Sequence, residues 1–238
     1  MTVTTTMATV SVTGISSMAT RALLAELAAA YEARSGQGVA IESAGVVDVA
    51  KRVQAGEPFD VVVLARDALD RLGADGHLVP GSAVDLARSG LGVAVRAGVP
   101  RSARPAIDTE EALQRAVLAA PTIGYATGPS GGHLATLFER WGITEAVQER
   151  VVTAPPGVAV GALVARGEVA LGFQQLSELI HLSGIEVLGP LPPAVQILTT
   201  FSGAVSARAR SPEEARALLA FLASPDAAAA KRRQGMEP

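Results

Sequence analysis

The strongest constraint on the fold is the run at residues 59–65, Phe-Asp-Val-Val-Val-Leu-Ala. It is short, β-branched and almost wholly apolar, the pattern of a strand buried on both faces. Both faces of a sheet are covered only when helices cross over it, as in a parallel βα arrangement. The neighbouring residues supply those crossovers. Residues 8–15 alternate and predict a strand, and residues 18–34 predict a helix with Leu23, Leu24, Leu27 and Tyr31 along one stripe. A second strand at 38–43, a helix at 46–55 and a short helix at 66–72 complete a first β-α-β-α-β-α series.

A second series begins near Leu91. Strands are expected at 91–96, 122–126, 151–153, 169–173 and 185–188. Helices are expected at 133–140 and 158–166, and one opens at Asp108 as N-cap with Glu111 three residues on. A long strand at 197–207 follows. Ser211-Pro212-Glu213-Glu214 and Ser224-Pro225-Asp226 then start the last two helices. No Gly-, Ser- or Pro-rich linker divides the two series. The chain is instead expected to cross twice, near 87–94 and near 196–206. The expected fold class is therefore α/β in two lobes, 1–87 plus 203–238 and 88–202, with parallel or mixed sheets, a two-strand hinge and a cleft.

Composition narrows the function. With 20 Lys and Arg against 23 Asp and Glu, the net charge of −3 removes the broad basic surface of a nucleic-acid binder. The basic tail Lys231-Arg232-Arg233 reads as a solvated helix end. No cysteine is present, so thiolate metal sites, disulfides and cysteine nucleophiles are excluded. The three histidines, His77, His133 and His181, lack metal-ligand spacing. No metal or cofactor is expected: neither a dinucleotide G-x-G-x-x-G after the first strand nor a phosphate loop is present. No secretory leader is evident, which fits a cytoplasmic chain or a periplasmic one whose leader has been trimmed. A monomer is expected.

In open parallel sheets ligands bind beyond the carboxyl ends of the strands. Four strand-to-helix junctions there are small and neutral. They hold Ser16 and Ser17; Ser43, Gly45 and Val46; Ser130 and Gly131; and Gly157 and Val158. Each precedes a helix whose first amides lack intrahelical partners and favour an anion. The bland alternative is that the hydroxyls only cap helices and the glycines only turn the chain. Gln174 and Gln175 end the strand at 169–173, where two amides cannot both face an apolar core cheaply. Arg21 and Lys51 read as cations in first helical turns, opposed to the helix dipole; the two readings are contact with ligand carboxylates and a plain solvated surface role. His133, directly after Gly131-Gly132, is the candidate base, set against the plainer reading of an ordinary histidine at a helix start. Asp60, ahead of the buried run, reads as structural.

These residues resemble a known family. Ala44-Gly45, Ala50-Lys51-Arg52, residues 56–61, Ala162-Leu163-Val164, Gly167-Glu168 and the final Ser224-Pro225-Asp226 helix are similar to type 2 periplasmic solute-binding proteins, particularly molybdate-binding proteins of ABC transporters. The likeness spans nearly the whole chain. It implies a two-lobed hinge fold, a small anionic ligand and an ABC permease as partner. It also implies an oxyanion held at Ser16-Ser17, Val46, Ser130 and the Gly157–Val158 turn, with the family's ligand-contacting tyrosine falling on Gln175. The serine pair of the second junction is here Ala44-Gly45, a departure that suits a larger planar carboxylate. Residues 16–21, 128–131 and 172–178 also resemble aconitate isomerases of the same fold, which implies a cofactor-independent shift of a double bond.

Overall fold

The structure, a computed structural model, describes residues 11–126, 129–155 and 157–238, with the backbone alone at 129 and 130. In chain order the elements are β1 (Val12–Ser17), α1 (Arg21–Ser35), β2 (Val39–Ala44), α2 (Val46–Gln54), β3 (Val61–Ala65), α3 (Arg66–Ala74) and β4 (Val84–Arg96). Then come α4 (Glu110–Ala119), β5 (Ile123–Ala126), α5 (Pro129–Arg140), α6 (Thr144–Val147), β6 (Val151–Ala154), α7 (Val160–Arg166), β7 (Leu171–Gln175), α8 (Leu176–Leu179) and β8 (Ile185–Pro190). The chain ends with β9 (Leu198–Val205), α9 (Pro212–Ala223) and α10 (Ala228–Arg233). The architecture is a mixed α/β, two-lobed periplasmic-binding-protein-like fold.

The first unit comprises the described residues up to Ala87, with Thr200–Arg233 and Pro238. Its sheet runs β2-β1-β3-β9; the first three strands are parallel and β9 is antiparallel to β3. Every residue of β3 is buried, as a strand covered on both faces requires. Its core gathers Ile15, Val49, Val62, Leu64, Leu69 and Leu72.

Asp60, just ahead of β3, is 2% exposed and is indeed structural. Its carboxylate accepts from the Thr13 amide at 2.8 Å and the Thr13 hydroxyl at 2.9 Å. It also accepts from the amides of Arg210 at 2.7 Å and Ser211 at 2.9 Å. Burial alone would raise its pKa, yet these bonds hold it below the ordinary aspartate value.

The second unit comprises Arg88–Thr199 and Gln234–Glu237. Strands β5, β6 and β7 are parallel, β4 is antiparallel to β7, and β8 pairs with β4. With 8 aromatic residues in the whole chain, aliphatic side chains fill most of this core. Phe138 is its centre, 6.0 Å from Trp141, 6.3 Å from Tyr125 and 6.4 Å from Phe173, ring centre to ring centre.

Several element boundaries differ from the sequence reading. Strand β1 ends at Ser17, two residues later than expected, and residues 8–10 of the expected strand lie outside the described residues. The N-cap of α4 is Thr109, not Asp108: the Thr109 hydroxyl accepts from the Ala112 amide at 3.1 Å. Helix α5 begins at Pro129, four residues before the expected start, because proline is tolerated at a first helical position. Lys51 lies in the last turn of α2, not the first, where a cation favours the dipole instead of opposing it.

Candidate functional site

In the first unit the carboxyl ends of β1 and β2 lie side by side, with Ser16 opposite Ser43 and Ser17 opposite Ala44. The Ser16 and Ser43 hydroxyls form a hydrogen bond at 2.8 Å, in which either can be the donor. Ser16 is fully buried and also lies 3.3 Å from the Ser17 carbonyl. Ser17 is different. It is 2% exposed, its backbone accepts from the Thr20 hydroxyl at 3.0 Å, and its own hydroxyl has no partner among the described residues. Ser17 occupies an N-cap position yet makes no capping bond. A buried hydroxyl without a partner costs roughly 1–3 kcal/mol, so the simple capping role does not explain it.

Helices α1 and α2 start beside these hydroxyls. Neither has a side-chain cap: Thr20 and Gly45 precede them without a capping bond. The first intrahelical bond of α2 runs from the Val49 amide to the Gly45 carbonyl at 2.9 Å, which leaves the Val46 amide ahead of the ladder. A side chain at Gly45 would meet only the Asp48 carboxylate, so this junction is open. Arg21 is the exposed first residue of α1 and forms no ion pair among the described residues.

The same edge carries a charged group that the sequence reading missed. Arg66, first residue of α3, donates to Asp70 at 2.9 Å and to Asp85 at 2.8 Å. Asp85 also accepts from the buried Ser202 hydroxyl at 2.6 Å. The Ser202 hydroxyl, then Arg66, hold the Asp85 carboxyl below its ordinary range. Nothing in the 66–85 spacing signals this pairing, because it depends on β4 and β9 meeting.

In the second unit β5, β6 and β7 point their carboxyl ends to one edge. After β5, residues 127 and 128 of the glycine-rich junction lie outside the described residues, as does the side chain of Ser130, whose backbone is in the first turn of α5. Gly131 is required by packing: a Cβ there would sit 1.8 Å from the Ala126 carbonyl oxygen. His133 is exposed on α5, and no hydrogen bond among the described residues orients its ring.

After β6, Gly157 has φ +77°, a left-handed conformation that favours glycine. The Val158 amide donates to the Pro155 carbonyl at 3.0 Å and closes a turn, so it is not an open donor. Helix α7 starts at Val160, two residues later than expected.

The two glutamines at the end of β7 play different parts. The Gln174 side-chain oxygen accepts from the Gly161 amide in the first turn of α7 at 2.9 Å, and its nitrogen donates to Glu178. Its amide is engaged on both ends, so Gln174 anchors α7 and Glu178 within the unit. Gln175 is 7% exposed; its nitrogen donates to the Thr199 hydroxyl at 2.8 Å, while its oxygen is buried without a partner. Glu178, on the short helix α8, was not singled out from the sequence. Burial raises its pKa, the Gln174 amide opposes that rise, and no cation pairs with it among the described residues.

The chain matches the model of the bacterial extracellular solute-binding proteins over residues 12–237 and belongs to that family. An aconitate isomerase from Pseudomonas sp. is 39% identical over 221 residues, 90% of this chain and 82% of that protein. Among solved structures, the periplasmic molybdate-binding protein of Azotobacter vinelandii superposes with a TM-score of 0.75 at 21% identity, covering 95% of this chain and 99% of that one. A periplasmic binding protein from A. tumefaciens R10 in complex with agropinic acid gives 0.70 at 15% identity, covering 96% and 83%.

Proposed function

We propose that the chain binds a small, unsaturated organic acid anion and moves its double bond without a cofactor, as an aconitate isomerase does. The observation that carries the binding half is the Ser17 hydroxyl, buried and unpartnered beside the uncapped starts of α1 and α2. A buried polar group of this kind is satisfied by an acceptor or donor that arrives from outside. The isomerase half is supported by the 39% identical relative. In the first unit the residues proposed to contact the ligand are Ser16, Ser17, Arg21, Ser43, Gly45 and Val46. In the second they are Ser130, Gly131, Gly157 and Gln175. Hydroxyls, amides and one exposed arginine suit carboxylates spread over a carbon frame. The place of a second junction serine is taken by Ala44-Gly45, which removes hydroxyls a compact oxyanion would use.

The experiment is NMR of trans-aconitate with the purified chain and no added metal. Appearance of the cis isomer is expected. Absence of conversion at high protein concentration, with tight binding of molybdate or tungstate, would overturn the enzymatic reading. It would leave the second one, a receptor that hands an oxyanion to an ABC permease, which the family description favours.

A further inference from the structure

We propose that Glu178, held by Gln174 at the carboxyl end of β7, is the group that carries the proton when the double bond moves. The proposal rests on the isomerase reading above. Three observations lead to Glu178. It lies on α8, the short helix that leaves the carboxyl end of β7, three residues past Gln175 and on the edge where β5, β6 and β7 all end. It has one hydrogen-bond partner, the Gln174 amide, and that amide is itself fixed by the Gly161 N–H at 2.9 Å. No cation neutralises it among the described residues, in contrast to Asp70, Asp85, Glu42 and Glu57, each of which meets an arginine. A partly desolvated carboxylate with no counter-charge is costly to keep for structure alone. It is what a proton carrier requires, because the same group must accept a proton and give it back.

The chemistry balances without a co-reactant. One Glu178 oxygen takes a proton from the methylene carbon of the bound acid. The C–H bond breaks, an O–H bond forms, and the electron pair delocalises over the allylic carbons and their carboxylates. The proton then returns from Glu178 to the former vinylic carbon, and the double bond is left one position along. Nothing is oxidised or reduced, and the protein ends as it began. His133, the other titratable candidate, is exposed and has no partner to aim it, whereas burial raises the Glu178 pKa above the ordinary glutamate value and the Gln174 amide opposes that rise.

The test compares the full chain with Glu178→Gln in D2O, following trans-aconitate by proton NMR and its binding by calorimetry. Glu178→Gln keeps the hydrogen-bond geometry with Gln174 but cannot take a proton. Expected is a loss of conversion and of methylene deuterium exchange by about 10²–10⁴-fold, with affinity changed less than about threefold. Glu178→Asp, which keeps the acid one methylene short, should recover part of the turnover, and it stands in should the Gln variant not fold. Conversion by Glu178→Gln at the native rate would overturn the assignment while leaving the isomerase reading intact. So would a His133→Ala variant that alone abolishes exchange. Absence of conversion and exchange by the unaltered chain would overturn both.

Discussion

Replacing Asp60 by Asn should destabilise the first unit far more than its single-atom change suggests. The carboxylate accepts four hydrogen bonds, two on each oxygen. In the variant one oxygen remains to accept from the Arg210 and Ser211 amides. The other position becomes an NH2 group facing the Thr13 amide, donor against donor. The Thr13 hydroxyl can rotate to accept, so one bond of that pair is recovered and one is lost, and the Thr13 N–H is left buried without a partner. A hydrogen bond to a charged acceptor contributes roughly 1.5–3 kcal/mol, and an orphaned donor costs about 1–3 kcal/mol. With partial relaxation the expected loss is about 3–4 kcal/mol, within the range for breaking a buried network. For a chain of this size that lowers the melting temperature by roughly 6–16 °C. Urea and thermal unfolding by circular dichroism read both quantities, with the exposed Asp67→Asn as control, expected within about 0.5 kcal/mol.

The pH dependence supplies a second test of the same group. The folded-state pKa of Asp60 is depressed, so its contribution is present above the unfolded value of about 3.9 and is lost as pH falls through the folded value. The native chain should therefore lose stability on acidification below about pH 4 more steeply than Asp60→Asn. A variant within 0.5 kcal/mol of the native chain at neutral pH, with an unchanged acid slope, would refute the account of Asp60.

Other outcomes follow from the geometry. Ser17→Ala should leave the unliganded chain as stable or slightly more so, because the hydroxyl has no partner there, while weakening trans-aconitate binding by about 10–100-fold; calorimetry and thermal melts separate the two. Gly131→Ala should cost at least about 2 kcal/mol, since its Cβ would lie on the Ala126 carbonyl and α5 must shift to relieve it; a urea midpoint checks this. Phe138→Ala should cost about 3–5 kcal/mol by emptying the aromatic centre of the second unit, measured in the same way.

Much of the fold was legible because burial leaves a pattern. The run ending at Ala65 announced a doubly covered strand, and the alternation around it announced parallel crossovers. The unread parts depend on atoms distant in sequence. Asp108 and Thr109 both satisfy the residue preferences of an N-cap, and only backbone geometry decides that the threonine hydroxyl reaches the Ala112 amide. Gln174 and Gln175 looked alike in the sequence. The pleat turns one toward α7, where it is engaged on both ends, and leaves the other with a buried, unpartnered oxygen. Val158 fitted the pattern of an open first-turn amide, but the left-handed Gly157 folds it back onto Pro155. Glu178 carried no signal, because a glutamate four residues after a glutamine is an ordinary helical pair until burial removes its solvent.

The arrangement of charge explains why neutral groups matter at these strand ends. Arg66 faces two aspartates and Arg52 two glutamates, so these two cations beside the first unit's strands are already compensated, whereas Arg21 is exposed. Apart from Glu178, the buried groups without a partner among the described residues at the carboxyl ends of β1 and β7 are neutral: the Ser17 hydroxyl and the Gln175 oxygen. Dipoles of this kind stabilise an anion without the large desolvation cost of a buried, unpaired lysine or arginine in the empty protein. Each charge-assisted bond is worth about 1.5–3 kcal/mol. A few of them, less the cost of immobilising the ligand, correspond to micromolar and not picomolar affinity. On the isomerase reading proposed above, an enzyme that must release the geometric isomer of its own substrate needs that restraint. Its binding groups cannot hold either acid so firmly that product departure limits turnover.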